Sequence, residues 1–440
     1  MKRLFTSIAL ALAMLTGSIA AWGFFVDETR VPFTALPGAT AHFGVLNGAA
    51  YHIEIPDNWN GSLVLYAHGF VDARNDKLVA GFPRIRQFLI QNGYAWAASS
   101  YSKNGYVVKE GVLDTHDLGE FFKQTFGEPK KIYFTGHSMG GHITGVAIER
   151  FPHDYVAAMP MCGVMGDVKL FDYFLSYNLV AQTLAGVTFD FPAPQPADTV
   201  FQPIARAKIE PALGAPFPNL MAIPPVFGAL NAQGEKLRAA TWQMTGGDRP
   251  FRDLAFAVWA DFLFGRFGDG TVGVANGNVT TNIGDIYQFD SDPFLTADEI
   301  DLNENVARIA PDFRARFSHG AHQLENIPPI QANFHIPVLT MHTIGDLFVP
   351  FSMEQIYHDR AALHGRSDRL VQRAIRDVGH CAWSAAEEEK SFADLVGWET
   401  NGVEPAGDQV TDKAAVADPN FGCQFTMPQF HSPALPQCSR

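Results

Sequence analysis

A serine flanked by two glycines is the residue of this chain best suited to act as a nucleophile. Residues 136–140 read Gly-His-Ser-Met-Gly, with Ser138 at the centre. The apolar run 132–134 before them predicts a buried strand, and 142–150 after them predicts a helix. A serine on a tight turn between a strand and a helix exposes its hydroxyl at the carboxyl end of a sheet. The two glycines fit this turn, because a Cβ at either position would collide with the neighbouring strand and helix.

Two further side chains, His380 and Asp346, follow predicted strands and could activate that serine. A serine hydroxyl is a weak nucleophile at neutral pH, so it needs a base, and the base needs a partner that fixes its tautomer. His380 is the candidate base and Asp346 the candidate partner. Because parallel strands end at one edge of a sheet, we expect both side chains to lie close to Ser138 despite their distance in sequence.

These assignments have structural alternatives. Asp346 could instead cap the helix predicted just after it. Asp377 is a rival acid, because it lies three residues before the candidate base. His380 could be a structural residue, as most of the 15 histidines must be. His68 and His137 are better explained by packing or loop hydrogen bonds than by a role as bases. His380 remains the favoured base, and Asp346 remains the favoured acid.

The composition of this 440-residue chain indicates a globular protein without a nucleic-acid partner. Hydrophobic residues make up 47% and charged residues 18%, which supplies enough apolar material for a sizeable core. The formal net charge is -14, whereas nucleic-acid phosphates require clustered lysine and arginine. We expect no cofactor. We also expect no metal, because the oxygen-rich segments 290–292 and 298–305 lack the spacing of a calcium-binding loop.

The N-terminal segment 1–20 has the pattern of a secretory signal peptide. A basic Lys-Arg pair is followed by an apolar run over 4–15, and 18–20 reads Ser-Ile-Ala, a small-x-small cleavage pattern. The mature chain would then begin near Ala21 and would be secreted or periplasmic, without stable membrane insertion. An uncleaved anchor is the alternative, although the apolar run is short for a bilayer.

Four cysteines, an even number, are compatible with disulfides in an exported chain. Cys423 and Cys438 lie in the same Pro-rich tail, and we expect them to pair. Closing a loop of about fifteen residues contributes roughly 3 kcal/mol in the chain-entropy model. Cys162 follows a predicted strand and Cys381 follows the candidate base, so both should lie above the same sheet edge. These two could form a second disulfide or remain two buried thiols.

Strands and helices alternate on both sides of a long irregular segment. This alternation predicts an α/β fold with a mostly parallel central sheet and helices on both faces. It runs over 21–164 and resumes over 335–400. Between them, 165–334 is rich in Phe and Pro and contains helical patches at 170–184, 250–264 and 296–309, the last opened by a Thr-x-x-Glu capping box at 296–299. We therefore predict an inserted, mainly helical cap, followed after the second core segment by a Pro/Gly-rich tail over 401–440.

The serine motif, a Gly-Asp pair at 345–346 and a Gly-His pair at 379–380 resemble the α/β-hydrolase superfamily, in particular its secreted esterases and lipases. The order Ser, Asp, His along the chain is the order of that family. The resemblance covers 41–163 and 335–396, with the cap inserted after the strand that follows the serine helix. It implies an α/β-hydrolase fold and a catalytic triad. The implied triad is Ser138, Asp346 and His380.

The same resemblance implies an oxyanion hole, in which two backbone N–H groups receive the negative charge of the tetrahedral intermediate. One would belong to Met139, the residue after the nucleophile. The other would belong to Phe70, in a short His-Gly-Phe loop. Gly69 and Val71 remain open as alternatives for this second donor.

Two departures narrow the resemblance. A serine at the nucleophile position argues against the haloalkane dehalogenases and epoxide hydrolases, which have aspartate there. The pair His380-Cys381 is similar to that of the tannase and feruloyl esterase group, in which a cysteine beside the histidine is bonded to one beside the serine. Here His137 rather than a cysteine precedes the serine, so we do not assign the chain to that group.

A Ser-His-Asp triad transfers an acyl group to water, but it does not choose between esters, thioesters and amides. By analogy with other exported enzymes of this fold, we predict a hydrolase of carboxylic esters, either small or polymeric. The aromatic residues of the cap indicate an apolar or aromatic group in the substrate. A serine peptidase or amidase is the first alternative. A non-catalytic binding protein is the second, and the complete set of triad residues disfavours it. The sequence does not predict an oligomeric state.

Overall fold

A mostly parallel sheet of eight strands forms the centre of the molecule. The computed structural model describes residues 23–214, 217–222, 224–226, 228–270, 273–432 and 435–438, so the predicted signal peptide lies outside the described residues. The strands are β1 (Ala39–Leu46), β2 (Ala49–Pro56), β3 (Ser62–Ala67), β4 (Ala95–Ser99), β5 (Lys131–His137), β6 (Ala157–Met161), β7 (Val338–Thr343) and β8 (Leu370–Ile375). Their spatial order is β1-β2-β4-β3-β5-β6-β7-β8.

Only the first two strands depart from the parallel arrangement. The strand β2 pairs antiparallel with β1 and with β4, and the remaining neighbours are parallel. A short parallel pair, Phe25–Val26 with Lys77–Leu78, lies apart from the main sheet. Every residue of β3, β4 and β6 is buried, which explains why these strands have unbroken apolar runs rather than alternating patterns.

Helices cover the sheet and fill the long segment between β6 and β7. They are α1 (Arg86–Gln91), α2 (Val108–Phe126), α3 (Met139–Arg150), α4 (Lys169–Leu184), α5 (Gln202–Lys208), α6 (Glu210–Leu213), α7 (Ala232–Met244), α8 (Arg252–Phe264), α9 (Ala297–Asn305), α10 (Phe313–Arg316), α11 (Ser352–Leu363), α12 (Ala385–Asn401) and α13 (Lys413–Ala417). Among the described residues, none of the helices combines the length and the apolar content needed to cross a bilayer.

The strand order and the alternating helices are those of the α/β-hydrolase fold, which confirms the predicted fold class. Parallel neighbours bring the carboxyl ends of β5 to β8 to one edge: His137 pairs with Met161, and Thr343 pairs with Ile375. The segments that follow these strands therefore start side by side. Ser138, Asp346 and His380 lie in those segments, and Phe70 lies in the loop after β3.

The segment between β6 and β7, called the insertion below, contains helices α4 to α10. The sequence predicted α4, α8 and α9, and the capping box of Thr296 and Glu299 is present at the start of α9. It missed α5, α6, α7 and α10. Helix α7 shows why: it is capped by Asn231, but Gly234 in its first turn obscured the helical pattern. The tail after α12, expected to be irregular, contains the short helix α13.

Candidate active site

Ser138 lies on a strained turn between β5 and α3. Its backbone angles are φ 59 and ψ -120, and α3 begins at the next residue, Met139. The Ser138 N–H donates to the Met161 carbonyl at 2.9 Å, which ties the turn to β6. A Cβ at Gly140 would lie well inside contact distance of the Ala67 carbonyl, and one at Gly136 would collide with the Gly140 carbonyl. The steric reason given for the glycines is therefore confirmed.

Asp346 and His380 form a direct hydrogen bond. Asp346 Oδ2 lies 2.5 Å from His380 Nδ1, and the carboxylate is fully buried. Asp346 Oδ1 also accepts from the N–H groups of Phe348 at 2.8 Å and Val349 at 3.1 Å, which belong to the turn before α11. Helix α11 has Phe351 at its N-cap and no side-chain cap, so Asp346 does not cap it. Because a carboxylate only accepts, the proton must be on Nδ1, and Nε2 of His380 carries the lone pair.

Asp377, the rival acid, does not contact His380. Its Oδ1 accepts from the N–H groups of Val378 at 2.7 Å and Gly379 at 2.8 Å, and its Oδ2 lies 2.9 Å from Nδ1 of His431. His431, from the C-terminal tail, also contacts Glu387 at 2.9 Å. Hydrogen bonds to Asp377 and Glu387 raise the pKa of His431 to about 9. Asp377 thus orders the loop before His380, and its pairing with the tail was not predicted from the sequence.

Ser138 and His380 lie at the same sheet edge, but the expected hydrogen bond between them is absent from the described residues. Nε2 of His380 is buried and has no hydrogen-bond partner. The ring of Phe348 packs edge-on against the imidazole, with centroids 5.2 Å apart. Hydrogen bonds between nucleophile and base are often long in the absence of substrate and tighten when substrate binds. The structure thus leaves the lone pair of Nε2 free for a proton.

A disulfide between Cys162 and Cys381 ties the loop of His380 to the end of β6. The sequence left this pair open, and the structure resolves it as a bond. One ring nitrogen of His380 and the two sulfurs lie within 4.8 Å of one another. This group does not offer thiolates to a metal, because the sulfurs are bonded to each other. The expected Cys423–Cys438 disulfide is also present and is confirmed.

The loop 68–70 passes directly beside Ser138. A Cβ at Gly69 would lie 3.3 Å from the Cβ of Ser138. Nδ1 of His68 donates to the Gly69 carbonyl at 2.7 Å, and its ring stacks on Tyr101 with centroids 4.0 Å apart. In a trans peptide the carbonyl and the following N–H point in opposite directions, so this bond turns the N–H of Phe70 away from His68. His68 is therefore a loop hydrogen-bonder, as the sequence indicated.

His137, the neighbour of the nucleophile, points to the opposite side of the sheet edge. Its Nε2 lies 3.1 Å from Oε2 of Glu388, and its ring stacks on Trp383. Burial raises the pKa of Glu388, but the charge and hydrogen bond of His137, together with the charge of Arg84 and the hydrogen bond from Trp383, lower it below its ordinary value. This buried pair holds α12 against β5. It confirms that His137 is not a second base.

A buried pair that the sequence did not reveal lies behind the candidate acid. Nε2 of His342 in β7 donates to the Val349 carbonyl at 2.8 Å, and Nδ1 lies 3.3 Å from Oε1 of Glu354. Burial lowers the pKa of His342, but the neighbouring carboxylates of Glu354 and Asp346 raise it above its ordinary value. The pair fixes the turn from which Asp346 projects. A histidine inside an apolar strand was its only sequence signal.

Ser138 lines a cavity between the sheet edge and the insertion. Phe171 and Phe174 of α4 form part of its wall, and Phe348 forms another part. Phe70, with 43% of its surface exposed, stands at the same cavity. Other aromatic residues of the insertion are core residues that do not line it. These buried core residues are Trp242, Phe256 and Trp259. The cavity can therefore hold an apolar group next to the serine.

The fold and the arrangement of this edge define the protein class. A serine on a strained turn follows β5, an acid follows β7, and a histidine bonded to that acid follows β8. This is the topology of the α/β-hydrolases. The chain therefore has the α/β-hydrolase fold.

Comparisons with known proteins give distant similarities. No protein-family model matches the chain. The chain is 20% identical over 409 residues to an o-phthalyl amidase of Xanthobacter agilis, covering 79% of this chain and 84% of the relative. Among solved structures, an esterase from Aspergillus oryzae has a TM-score of 0.48 at 14% identity, covering 83% of this chain and 80% of the other. Feruloyl esterase B from the same organism has a TM-score of 0.45 at 11% identity, with 84% and 89% covered. Together with the fold, the similarity to the amidase supports a hydrolase activity.

Proposed function

We propose that this protein is a serine hydrolase that cleaves carboxylic esters carrying an apolar or aromatic group. The observation that carries the proposal is the 2.5 Å hydrogen bond between Asp346 Oδ2 and His380 Nδ1. It is formed at the same sheet edge as Ser138, which lines the cavity. A histidine held this way has its second nitrogen available as a base. The strained turn keeps the serine hydroxyl accessible.

In the first half of the reaction, Nε2 of His380 removes the proton of the Ser138 hydroxyl while Oγ attacks the ester carbonyl carbon. Oγ and Nε2 must approach to hydrogen-bond distance for this step. Asp346 stabilises the imidazolium that forms and keeps the proton on Nδ1. The tetrahedral intermediate then expels the alcohol, which receives the proton from Nε2. The acyl group remains on Ser138.

Backbone N–H groups would stabilise the negative charge of the intermediate. Met139 N–H belongs to the first turn of α3, where N–H groups have no partner within the helix. The N–H of Phe70 is turned away from His68 by the hydrogen bond to the Gly69 carbonyl. Each such donor is worth about 10²–10³ in rate. In the second half of the reaction, water replaces the alcohol and His380 acts again as base, which releases the acid and regenerates the serine.

A second candidate, hydrolysis of an amide, is favoured by one observation. The curated relative, at 20% identity, is an o-phthalyl amidase. The same triad cleaves ester and amide bonds. The two reactions differ in the protonation of the leaving group, which is an alcohol in an ester and an amine in an amide. Paired substrates with one acyl group separate the two candidates: a 4-nitrophenyl ester and the matching 4-nitroanilide. We expect ester turnover to exceed anilide turnover greatly, and comparable rates would favour the amidase.

The decisive test of the proposed nucleophile is Ser138→Ala. On the worked triad template, loss of a triad member lowers kcat by about four orders of magnitude or more. A fluorophosphonate probe should form an adduct that peptide mapping locates on Ser138. Ser291→Ala is the control, because this exposed serine of the insertion lies outside the cavity. Turnover by Ser138→Ala within tenfold of the parent protein would refute the proposal.

The location of the protein is part of the proposal. Two disulfides fit an oxidising compartment, because thiols are kept reduced in the cytosol. We therefore propose that the protein is secreted or periplasmic after cleavage near residue 20. N-terminal sequencing of the exported protein checks this directly.

A further inference from the structure

The cavity that contains Ser138 has a charged region in its wall. Asp72 and Arg74 come from the loop after β3, and Asp198 and Arg266 come from the insertion. The rest of the wall is largely apolar, with Phe171, Phe174, Phe348 and Val274 among its members. Charged side chains in such a wall require partners, because desolvated charges are costly. The contacts of these four side chains therefore show which charge in the cavity has no oppositely charged partner.

Arg74 forms ion pairs with both carboxylates, those of Asp72 and Asp198. Its Nε lies 2.9 Å from Asp72 Oδ1, and its Nη2 lies 2.6 Å from Asp198 Oδ2. Both acids therefore already have a guanidinium partner. The pair Arg74–Asp198 also joins the core loop to the insertion.

Arg266 has no such partner. Within the described residues, its guanidinium group forms neither an ion pair nor a hydrogen bond with a carboxylate, and its Nε is buried without any hydrogen-bond partner. It packs over the ring of Phe262, 4.6 Å from the centroid. Burial lowers the pKa of Arg266, and the charges of Asp198 and Asp72 only partly offset this. An anion bound in the cavity would supply the missing partner.

The geometry points to Arg266 as the binding residue for a carboxylate of the substrate. We place this carboxylate on the acyl part, because the acyl group stays on Ser138 while the alcohol must leave. The apolar part of the wall of the same cavity suits an aromatic or aliphatic body. The preferred substrates are thus monoesters of dicarboxylic acids, with one carboxyl esterified and the other ionised. Arginine suits this role, since its planar group binds carboxylates through two parallel hydrogen bonds. This inference rests on the proposed function of Ser138.

The test compares 4-nitrophenyl benzoate with its 3-carboxy and 4-carboxy derivatives. A charge-assisted hydrogen bond contributes about 1.5–3 kcal/mol, equivalent to about 10–150-fold. In Arg266→Gln we expect kcat/KM for the better carboxy ester to fall by about that factor, mainly through KM. The uncharged benzoate should change less than about twofold. Arg266→Lys should restore part of the preference. Arg252→Gln, an exposed arginine of the insertion outside the cavity, is the matched control.

The assignment would be overturned if the ratio of kcat/KM for the carboxy ester to kcat/KM for the benzoate stayed unchanged in Arg266→Gln, either because neither ester lost activity or because both lost it equally. Failure of the proposed function looks different, because then the parent protein would turn over none of these esters. Binding separates the two cases further. Benzene-1,4-dicarboxylate should bind the Ser138→Ala protein in calorimetry, and Arg266→Gln in that background should weaken binding at least tenfold. Equal binding by the two proteins would refute the carboxylate site.

Discussion

The sheet edge and the insertion form the two sides of the cavity, and they are built differently. On the sheet side, Asp346 is held by two backbone N–H groups and His380, and the histidine loop is tied by a disulfide. On the insertion side, the wall next to Ser138 includes the aromatic side chains of Phe171 and Phe174, packed through ring contacts, in addition to the charged Asp198 and Arg266. Hydrogen bonds and covalent bonds fix directions, whereas ring contacts allow small shifts.

This difference suggests a division of labour. Reacting groups must be held to within a fraction of an ångström, and the hydrogen bonds and disulfide around the candidate triad suit the sheet side to this role. A wall that selects substrates needs shape and apolar area, which packed rings supply. We therefore expect substitutions on the sheet side to lower kcat and substitutions on the insertion side to change KM. The following variants test this contrast, from the largest expected effect to the smallest.

The largest effect is expected from Asp346→Asn. The remaining carbonyl oxygen can still accept from the N–H groups of Phe348 and Val349, but the NH2 group then faces His380 and favours the wrong tautomer. The negative charge that stabilises the imidazolium is also lost, so kcat for the ester should fall by about 10³–10⁴. Asp377→Asn is the matched control: its remaining carbonyl oxygen can still accept from Val378 and Gly379, although the contact with His431 weakens. Steady-state kinetics should show kcat of Asp377→Asn within about fivefold of the parent. A larger loss in Asp377→Asn than in Asp346→Asn would make Asp377 the working acid.

Local patterns in the sequence were enough to predict that the candidate triad lies at the edge of the sheet. The turn of Ser138 was predicted because strand, glycines and helix are contiguous. Asp346 and His380 were placed from their positions after strands, since parallel strands end at a common edge. Each of these predictions needed only neighbouring residues and one rule of topology.

What the sequence did not predict depends on contacts between distant residues. The pairs His342–Glu354 and Asp377–His431 join elements whose approach no local pattern encodes. Among the described residues Arg266 has no carboxylate partner, and this is visible only once Arg74 is seen to bind both acids. In the insertion, helices such as α7 follow from capping and packing against neighbours rather than from a regular apolar period. Tertiary contacts thus set these features.

The second-largest effect on kcat is expected from removal of the disulfide beside His380. Replacing Cys162 and Cys381 together by serine frees the loop of His380, and a displacement of about 1 Å can cost about 10²-fold in rate. We expect kcat to fall by about 10–100-fold. The bond also closes a segment with a sequence separation of 219 residues, so its loss should reduce the free energy of unfolding by roughly 5 kcal/mol in the chain-entropy model.

The tail disulfide supplies the control. Replacing Cys423 and Cys438 by serine opens a segment with a separation of 15 residues, and the free energy of unfolding should fall by roughly 3 kcal/mol. At a temperature where both variants are folded, kcat of the tail variant should match the parent. Circular dichroism verifies folding. Equal losses of kcat in both variants would show that the bond near His380 acts through stability alone.

The smallest effect is expected in the insertion, from Phe174→Leu. Phe174 lines the cavity and stacks on Phe348, with centroids 6.0 Å apart, and Phe348 in turn contacts His380. Leucine keeps an apolar side chain but removes ring area, which is worth about 1 kcal/mol, so KM for an aromatic ester should rise about fivefold. We expect kcat to change less than about threefold.

Phe256→Leu separates this effect from general destabilisation of the insertion. Phe256 is 1% exposed in α8 and does not line the cavity, so its replacement should lower the free energy of unfolding by about 1 kcal/mol and leave KM unchanged. The contrast between the two sides would break if Phe174→Leu lowered kcat by orders of magnitude. Phe174 would then control the orientation of His380 through Phe348, and the insertion would belong to the reacting machinery rather than to the wall that selects the substrate.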